Sequence, residues 1–220
     1  MACTAMITSC FSFNMNIGKT VSCKGPVVVK EIEGLTDFEE IVISGAANLY
    51  LQQADNYSVS VEANEEVFDH IDYKVDGNVL NLGAIDNVNI RAKKYDITVT
   101  LPEITKIVVY GAADVKNLSS YESNKDVTIV INGAGDIDFK EIKVPSISVN
   151  VNGASDIKLA SIDVENLSVQ VNGAGDAELS GSAKNCNFSV NGAGDIDATG
   201  LEIEHIYTHK AGMASIRLKD

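Results

Sequence analysis

The chain has 220 residues, 45% of them hydrophobic and 22% charged, which fits a soluble globular protein of one large domain or two small ones. A net charge of -14 excludes nucleic acid as a partner, because that binding draws on Lys and Arg releasing phosphate counterions. No run reaches the ~18 apolar residues of a membrane-spanning helix, and 3 Pro, no Trp and frequent Val, Ile and Ser point to strand.

The first segment, residues 1–25, opens "MACTAMITSCFSFNMN", small, apolar and uncharged. Ile7, Thr8 and Ser9 directly before Cys10 look like the end of a bacterial lipoprotein signal, which makes Cys10 the expected lipidation site and the only contact with a membrane. The positive start and full hydrophobic stretch of a signal peptide are missing, so the competing reading is a disordered leader with a chance "TSC". The four cysteines, Cys3, Cys10, Cys23 and Cys186, form no C-x-x-C pair and have no matching His spacing for zinc.

Residues 26–102 read as strands of 5 to 10 residues bounded by Gly, Asn and Asp: "PVVVKEIEG", "FEEIVISGAANLYLQ", "YSVSVEA", "DYKVDGNVLNLG" and "YDITVTLPEI". "DGNVLNL" reads as a hairpin return, and "ANEEVFDHI" as one or two helical turns with Val67, Phe68 and Ile71 on one side. This region is expected to be continuous with residues 103–220 but more irregular, closing one end of the fold.

Residues 103–220 repeat. Aligned on the glycine of "NGAGDI", Gly111, Gly133, Gly153, Gly173, Gly192 and Gly212 are spaced by 22, 20, 20, 19 and 20, and an earlier copy, "SGAANLYL", sits on Gly45. Two residues before the glycine stand Val109, Ile131, Val151, Val171 and Val190; four before, Ile107, Ile129, Val149, Val169 and Phe188; six before, Val127, Ile147, Leu167, Cys186 and Ile206. This period-two alternation assigns these columns to the interior, with Val115, Ile137, Ile157, Ala177, Ile196 and Ile216 resuming it beyond the turn. Polar columns such as Ser148 and Asn150, or Ser168 and Gln170, point outward. Twenty extended residues would measure about 66 Å, too long for one strand, but can wrap once around a small core with the next copy stacked about 4.8 Å away. The expected fold is therefore all-β, a single-stranded right-handed β-helix or β-solenoid with coils of roughly 20 residues. A sandwich of hairpins with N-G turns is the alternative, but hairpins do not need the same column chemistry every twenty residues.

The phrase also carries Asp114, Asp136, Asp156, Asp176 and Asp195, which a solenoid would stack. One reading is a calcium ladder. Calcium β-rolls, however, place their phrase every nine residues, and here the last copy has Ser215 in the Asp position. The favoured reading is a structural corner: the six glycines permit the turn, the carboxylates take backbone N–H groups, and Asn132, Asn152, Asn172 and Asn191 form an amide ladder.

Taken in order, "FEEIVISGAANLYLQ", "YSVSVEANEEVFDHIDYKVDGNVLNL", "ITVTLPEITKIVVYGAADV" and the tandem "NGAGDI" units resemble the auto-transporter adhesin head domain family, a bacterial group common in Bacteroidetes. The resemblance runs from about Val27 to the end of the chain. It implies a β-helical fold, export to the cell envelope and an adhesin-like role, and it supplies no catalytic residues; "ITSC" matches the family's lipoprotein members.

No nucleophile elbow, phosphate loop or H-E-x-x-H occurs. His205 and His209 fall in a strand of the repeat, and with His70 they offer no third metal ligand. Asp138, Glu178 and Asp197 could meet the carboxylate spacing of a glycosidase, but they alternate with Lys158 and Arg217 and lack an aromatic platform. The expectation is a non-enzymatic, cofactor-free envelope protein, on the cell surface or outer membrane or otherwise periplasmic, that binds an unidentified protein or glycan or acts as a spacer. The alternatives are a carbohydrate-active β-helix and a calcium-stabilised repeat.

Overall fold

The alternation of inward Val, Ile and Leu with outward polar residues yields strand almost throughout. The computed structural model describes residues 19–85 and 88–219, so Cys3, Cys10 and the leader phrase lie outside the described residues. The protein is all-β, 74% strand, with one mixed sheet of 15 strands and no closed barrel among the described residues.

In the N-terminal part the strands are β1 (Thr20–Cys23), β2 (Val27–Glu31), β3 (Glu40–Gly45), β4 (Asn48–Gln53), β5 (Ser58–Asn64), β6 (Ile71–Asp76), β7 (Val79–Ala84), β8 (Asn89–Ala92) and β9 (Tyr95–Leu101). A 3-10 turn, Glu65–Asp69, stands where a short helix is expected, and of its residues Val67 is buried. β6 and β7 form the hairpin, closed at Gly77 and Asn78. Then come β10 (Lys106–Ala112), β11 (Val115–Asn117), β12 (Tyr121–Glu122), β13 (Val127–Ala134), β14 (Ile137–Lys140), β15 (Ile142–Ala154), β16 (Ile157–Ala174) and β17 (Ala177–Leu218).

The repeat governs the pairing. Each copy forms a tier whose segments pair, parallel and in register, with the same segments one repeat away. The first ladder runs Leu82, Ile43, Val109, Ile131, Val151, Val171, Val190. A second runs Ile97, Leu49, Val115, Ile137, Ile157, Ala177. The third begins where Tyr121 pairs with Ile142 and continues through Val144, Val164 and Ala183. All of these residues are buried, and the Tyr121 phenol is satisfied there by both the N–H and the carbonyl of Ile104. The step of 19 residues between Gly173 and Gly192 is absorbed by a register shift between Leu159 and Ile162, at the corner where Ser161 takes φ 56°.

The phrase at Gly45 is a tier of its own: β3 and β4 pair directly with β10 and β11, although β5 to β9 intervene in the chain. At that end the parallel order stops, because β6 lies antiparallel on β7, β5 on β9, and β2 on β5. One interior assignment fails: Ile206 is 40% exposed, because among the described residues no tier lies over it.

Candidate functional site

The outward positions of the first ladder make a face unlike the other two. In four successive tiers it presents Thr128, Val130 and Asn132; Ser148, Asn150 and Asn152; Ser168, Gln170 and Asn172; Asn187, Ser189 and Asn191. None of these carries a charge. The parallel register stacks Thr128, Ser148, Ser168 and Asn187 in one column, Val130, Asn150, Gln170 and Ser189 in the next and four asparagines in the third, so apart from Val130 the face is a lattice of amides and hydroxyls repeating at about 4.8 Å.

Part of the lattice is already satisfied. Asn152 Nδ2 donates to Asn132 Oδ1 (3.0 Å), Asn172 to Asn152 (3.1 Å) and Asn191 to Asn172 (2.9 Å). Asn185 donates likewise to Asn166 (3.0 Å). An asparagine side chain has two donors and two acceptor lone pairs, so each member inside the ladder keeps one N–H and one lone pair for solvent or a ligand.

Beside this column, Gly111, Gly133, Gly153, Gly173, Gly192 and Gly212 stack along the edge of the face. At Gly153, with φ 152°, a Cβ would overlap the carbonyl oxygen of Gly133 in the tier beneath, so close approach as well as backbone conformation demands glycine there.

The Asp column lies past the corner. Asp136 N–H donates to Asp114 Oδ1 (3.0 Å), Asp156 to Asp136 (3.1 Å), Asp176 to Asp156 (3.0 Å) and Asp195 to Asp176 (2.8 Å). Ser215 N–H takes the same place on Asp195 Oδ1 (3.0 Å). The donors are backbone groups, so the final position works equally well with serine. Among the described residues no three His, Cys, Asp or Glu side chains are arranged to hold a metal.

The second face bears Lys116, Asp138, Lys158, Glu178, Asp197 and Arg217 around a shallow groove of about 470 Å³. Lys158 meets Glu178 at 2.9 Å, Arg217 meets Asp197 at 3.2 Å, and Lys140 meets Asp138 at 3.7 Å. Thr199, through its hydroxyl and N–H, and then Arg217 hold Asp197 below the usual carboxylate range, the opposite of what a general acid needs. The third face is also charged, with Lys184 on Glu165 at 2.9 Å. His205 and His209 are exposed, apart from any ligand set, and His70 is half-buried at the far end of the molecule. Cys23 and Cys186 are buried free thiols, and burial pushes Cys186 up to about 11.

Two clusters have no local signal in the sequence. Glu66 accepts from Gly25 N–H (2.8 and 3.0 Å) and Lys24 N–H (3.3 Å), pinning the chain's entry to the 3-10 turn. Lys125 bridges Glu39 (2.6 Å) and Glu103 (2.7 Å), which raises the ammonium above its ordinary range, Glu103 acting first. The uncharged face, by contrast, was readable by collecting the outward columns of the repeat.

A family model described as "Putative auto-transporter adhesin, head GIN domain" matches residues 37–220. The chain belongs to this family. Solved structures share the head-domain fold. A "putative lipid binding protein" from Parabacteroides distasonis superposes with a TM-score of 0.78 at 19% identity, covering 92% of this chain and 100% of that one. A "putative adhesin" from Bacteroides fragilis superposes with a TM-score of 0.72 at 18% identity, covering 90% and 99%. A second Parabacteroides distasonis structure, also named "putative adhesin", gives 0.57 at 15% identity, covering 91% and 100%. At such identities the likeness is one of fold. No curated protein matches. Membership in a family of adhesin heads suggests the cell surface or envelope, and among the described residues no helix is long and apolar enough to cross a membrane.

Proposed function

We propose that this head domain is a non-enzymatic adhesion module of the bacterial cell envelope, and that it contacts its partner through the uncharged face of the first ladder. One observation carries this reading: a chain of net charge -14 keeps four successive tiers of one face free of Asp, Glu, Lys and Arg while both neighbouring faces are charged. Adhesin names among its structural neighbours support it.

The tiers are read as coils of a right-handed β-solenoid spanning 103–220, with residues 26–102 continuous with it and closing one end. The in-register parallel pairing at a period near 20 supports that reading. The Gly and Asn columns and the Asp ladder are corner devices of the coil, with no calcium required. Lipid recognition through an interior pocket has little support, since the apolar cavity between Leu51, Leu101 and Phe139 is only about 20 Å³.

The partner is expected to be a neutral envelope or host-surface ligand, screened with immobilised glycans and surface proteins. Charging the face with Asn150→Asp and Gln170→Glu should abolish capture, whereas Lys158→Glu on the second face should leave it intact. Equal retention by all three variants would refute the assignment of the face, and release of a hydrolysis product would refute the non-enzymatic reading. Within residues 1–25 the leader precedes β1 (Thr20–Cys23), which pairs with β8 and belongs to the fold, and Cys10 is the lipid-bearing residue. Labelled palmitate should enter the wild-type chain in its native bacterium and not Cys10→Ala; equal labelling of both removes Cys10 as the anchor.

A further inference from the structure

The two ends of the ladders differ. At the N-terminal end the parallel pattern is terminated by antiparallel strands, and β6 there shows Asp72, Lys74 and Asp76 to solvent. At the other end lies the second half of β17, Leu201–Leu218. Its 42 residues would extend about 140 Å as one strand at ~3.3 Å each, so the element must turn back on itself. Gly212 accordingly stacks on Gly192. No strand among the described residues pairs with the outer edge of this last tier. Four of the eight exposed large hydrophobic residues of the described chain lie on it: Ile206 (40%), Tyr207 (66%), Met213 (84%) and Leu218 (39%).

We infer that this end is the contact surface for a second copy of the same chain, joined across a two-fold axis normal to the uncharged face. The N-terminal end closes with antiparallel strands and shows the charged side of β6, a surface unlike the last tier, so the open end meets its like in a closed, isologous pair. The axis is set by the order of the three segments in the tier. A two-fold through the middle segment lays that segment antiparallel on its own copy and sets the first segment over the partner's third. The first segment carries Glu202 and Glu204, and the third carries Arg217 and Lys219. Opposite charges therefore face each other twice, while the apolar residues of the tier are covered. Within its own chain Lys219 reaches Glu202 at 3.3 Å and Arg217 reaches the half-buried Asp197 at 3.2 Å, with Lys219, Glu202 and Arg217 largely exposed and able to share a second partner.

One residue opposes the contact. Lys210 occupies the inward column filled by Val190 in the tier beneath, and it lies near the axis, where two copies bring two lysines together. An inward charge on an edge strand is a known brake on edge pairing, so the pair is reversible and salt-sensitive. Its consequence for the adhesion reading is geometric: two uncharged faces become one continuous face of twice the length. The contact itself stands apart from that reading, because mass and not ligand capture measures it.

The experiment is sedimentation velocity of the purified chain over a concentration series, with circular dichroism to confirm the fold of each variant. Wild type is expected to show a concentration-dependent dimer. Glu202→Lys with Glu204→Lys, and separately Arg217→Glu with Lys219→Glu, should each weaken it at least about tenfold, while a 1:1 mixture of the two variants forms a heterodimer. Lys210→Val should tighten the pair. Met213→Glu, wholly on the surface, should loosen it without touching an ion pair of the fold. A wild-type chain monomeric at every concentration overturns the proposal. So does a dimer indifferent to these changes, or a series of ever longer oligomers.

Discussion

The glycine column shows how much a single residue position can demand. Gly153 combines φ 152° with a tier spacing that leaves no room for a Cβ above the Gly133 carbonyl. Gly45 also has positive φ, 118°, but a Cβ there would meet nothing within 4 Å. The pair separates conformational strain from collision. Gly45→Ala is expected to lose about 1 to 2 kcal/mol, the cost of left-handed backbone for an L-residue. Gly153→Ala must also push two tiers apart and should lose roughly 4 kcal/mol or more. Urea unfolding of both variants checks this, and equal losses would mean that the tiers yield easily. The Asp column makes the complementary point. Stacked carboxylates repel, yet each accepts a backbone N–H from the tier above it, so the chain itself supplies the compensating donor.

At the level of elements, what was legible in the sequence is what repeats at short range. The interior and polar outward columns arise from period two within a period of twenty, and the hairpin at Gly77 and Asn78 from its turn residues, all of which local sequence records directly. What was not legible was fixed by long-range hydrogen bonding or by an end. That β3 lies against β10 is decided by a register between Gly45 and Gly111, with β4 to β9 between them in the chain. Ile206 obeys its column but lacks the tier that would bury it. The clamps of Glu66 on Gly25 and of Lys125 on Glu39 and Glu103 join segments no motif links. These clamps set the pH response. Glu66, held low by its own N–H and those of Gly25 and Lys24, and Glu103, held low by Lys125 and then Ser123, have folded pKa values below their unfolded ones. Their contribution is present above the ordinary carboxylate pKa of about 4 and is lost as pH falls through the depressed values. Lys125, and Lys94 held high by Asp96 (2.6 Å) and then Glu62 (3.3 Å), contribute below the ordinary lysine pKa and lose that contribution as pH rises through the raised values. The melting temperature should therefore fall on both flanks, and Glu66→Gln with Glu103→Gln should flatten the acid limb. An unchanged acid limb would show that these carboxylates titrate alike in both states.

For the whole molecule, stacked tiers make stability a matter of position. Each inner tier is covered on both sides, and its residues Ile129, Ile131, Val149, Val151, Val169 and Val171 are fully buried. Among the described residues the last tier is covered on one side alone, and residues 204–213 are exposed throughout. In a stack whose stability is a sum of units and nearest-neighbour interfaces, the tier with one interface opens first. The N-terminal end differs, because β5, β2 and β6 are laid against its final parallel strands and bury Val59, Val61 and Leu80. Native-state hydrogen exchange followed by mass spectrometry should accordingly show a one-sided gradient. Amides of 201–218 exchange first, those of 177–193 next, and those of 127–134 and 147–154 only with global unfolding, while 58–64 and 79–84 stay protected with the centre. Self-association at the open end should slow exchange in 201–218 as concentration rises and leave the other segments unchanged. Exchange that begins at β2 to β7, or proceeds uniformly through all tiers, would show that the antiparallel strands do not secure their end and that the stack melts as one unit.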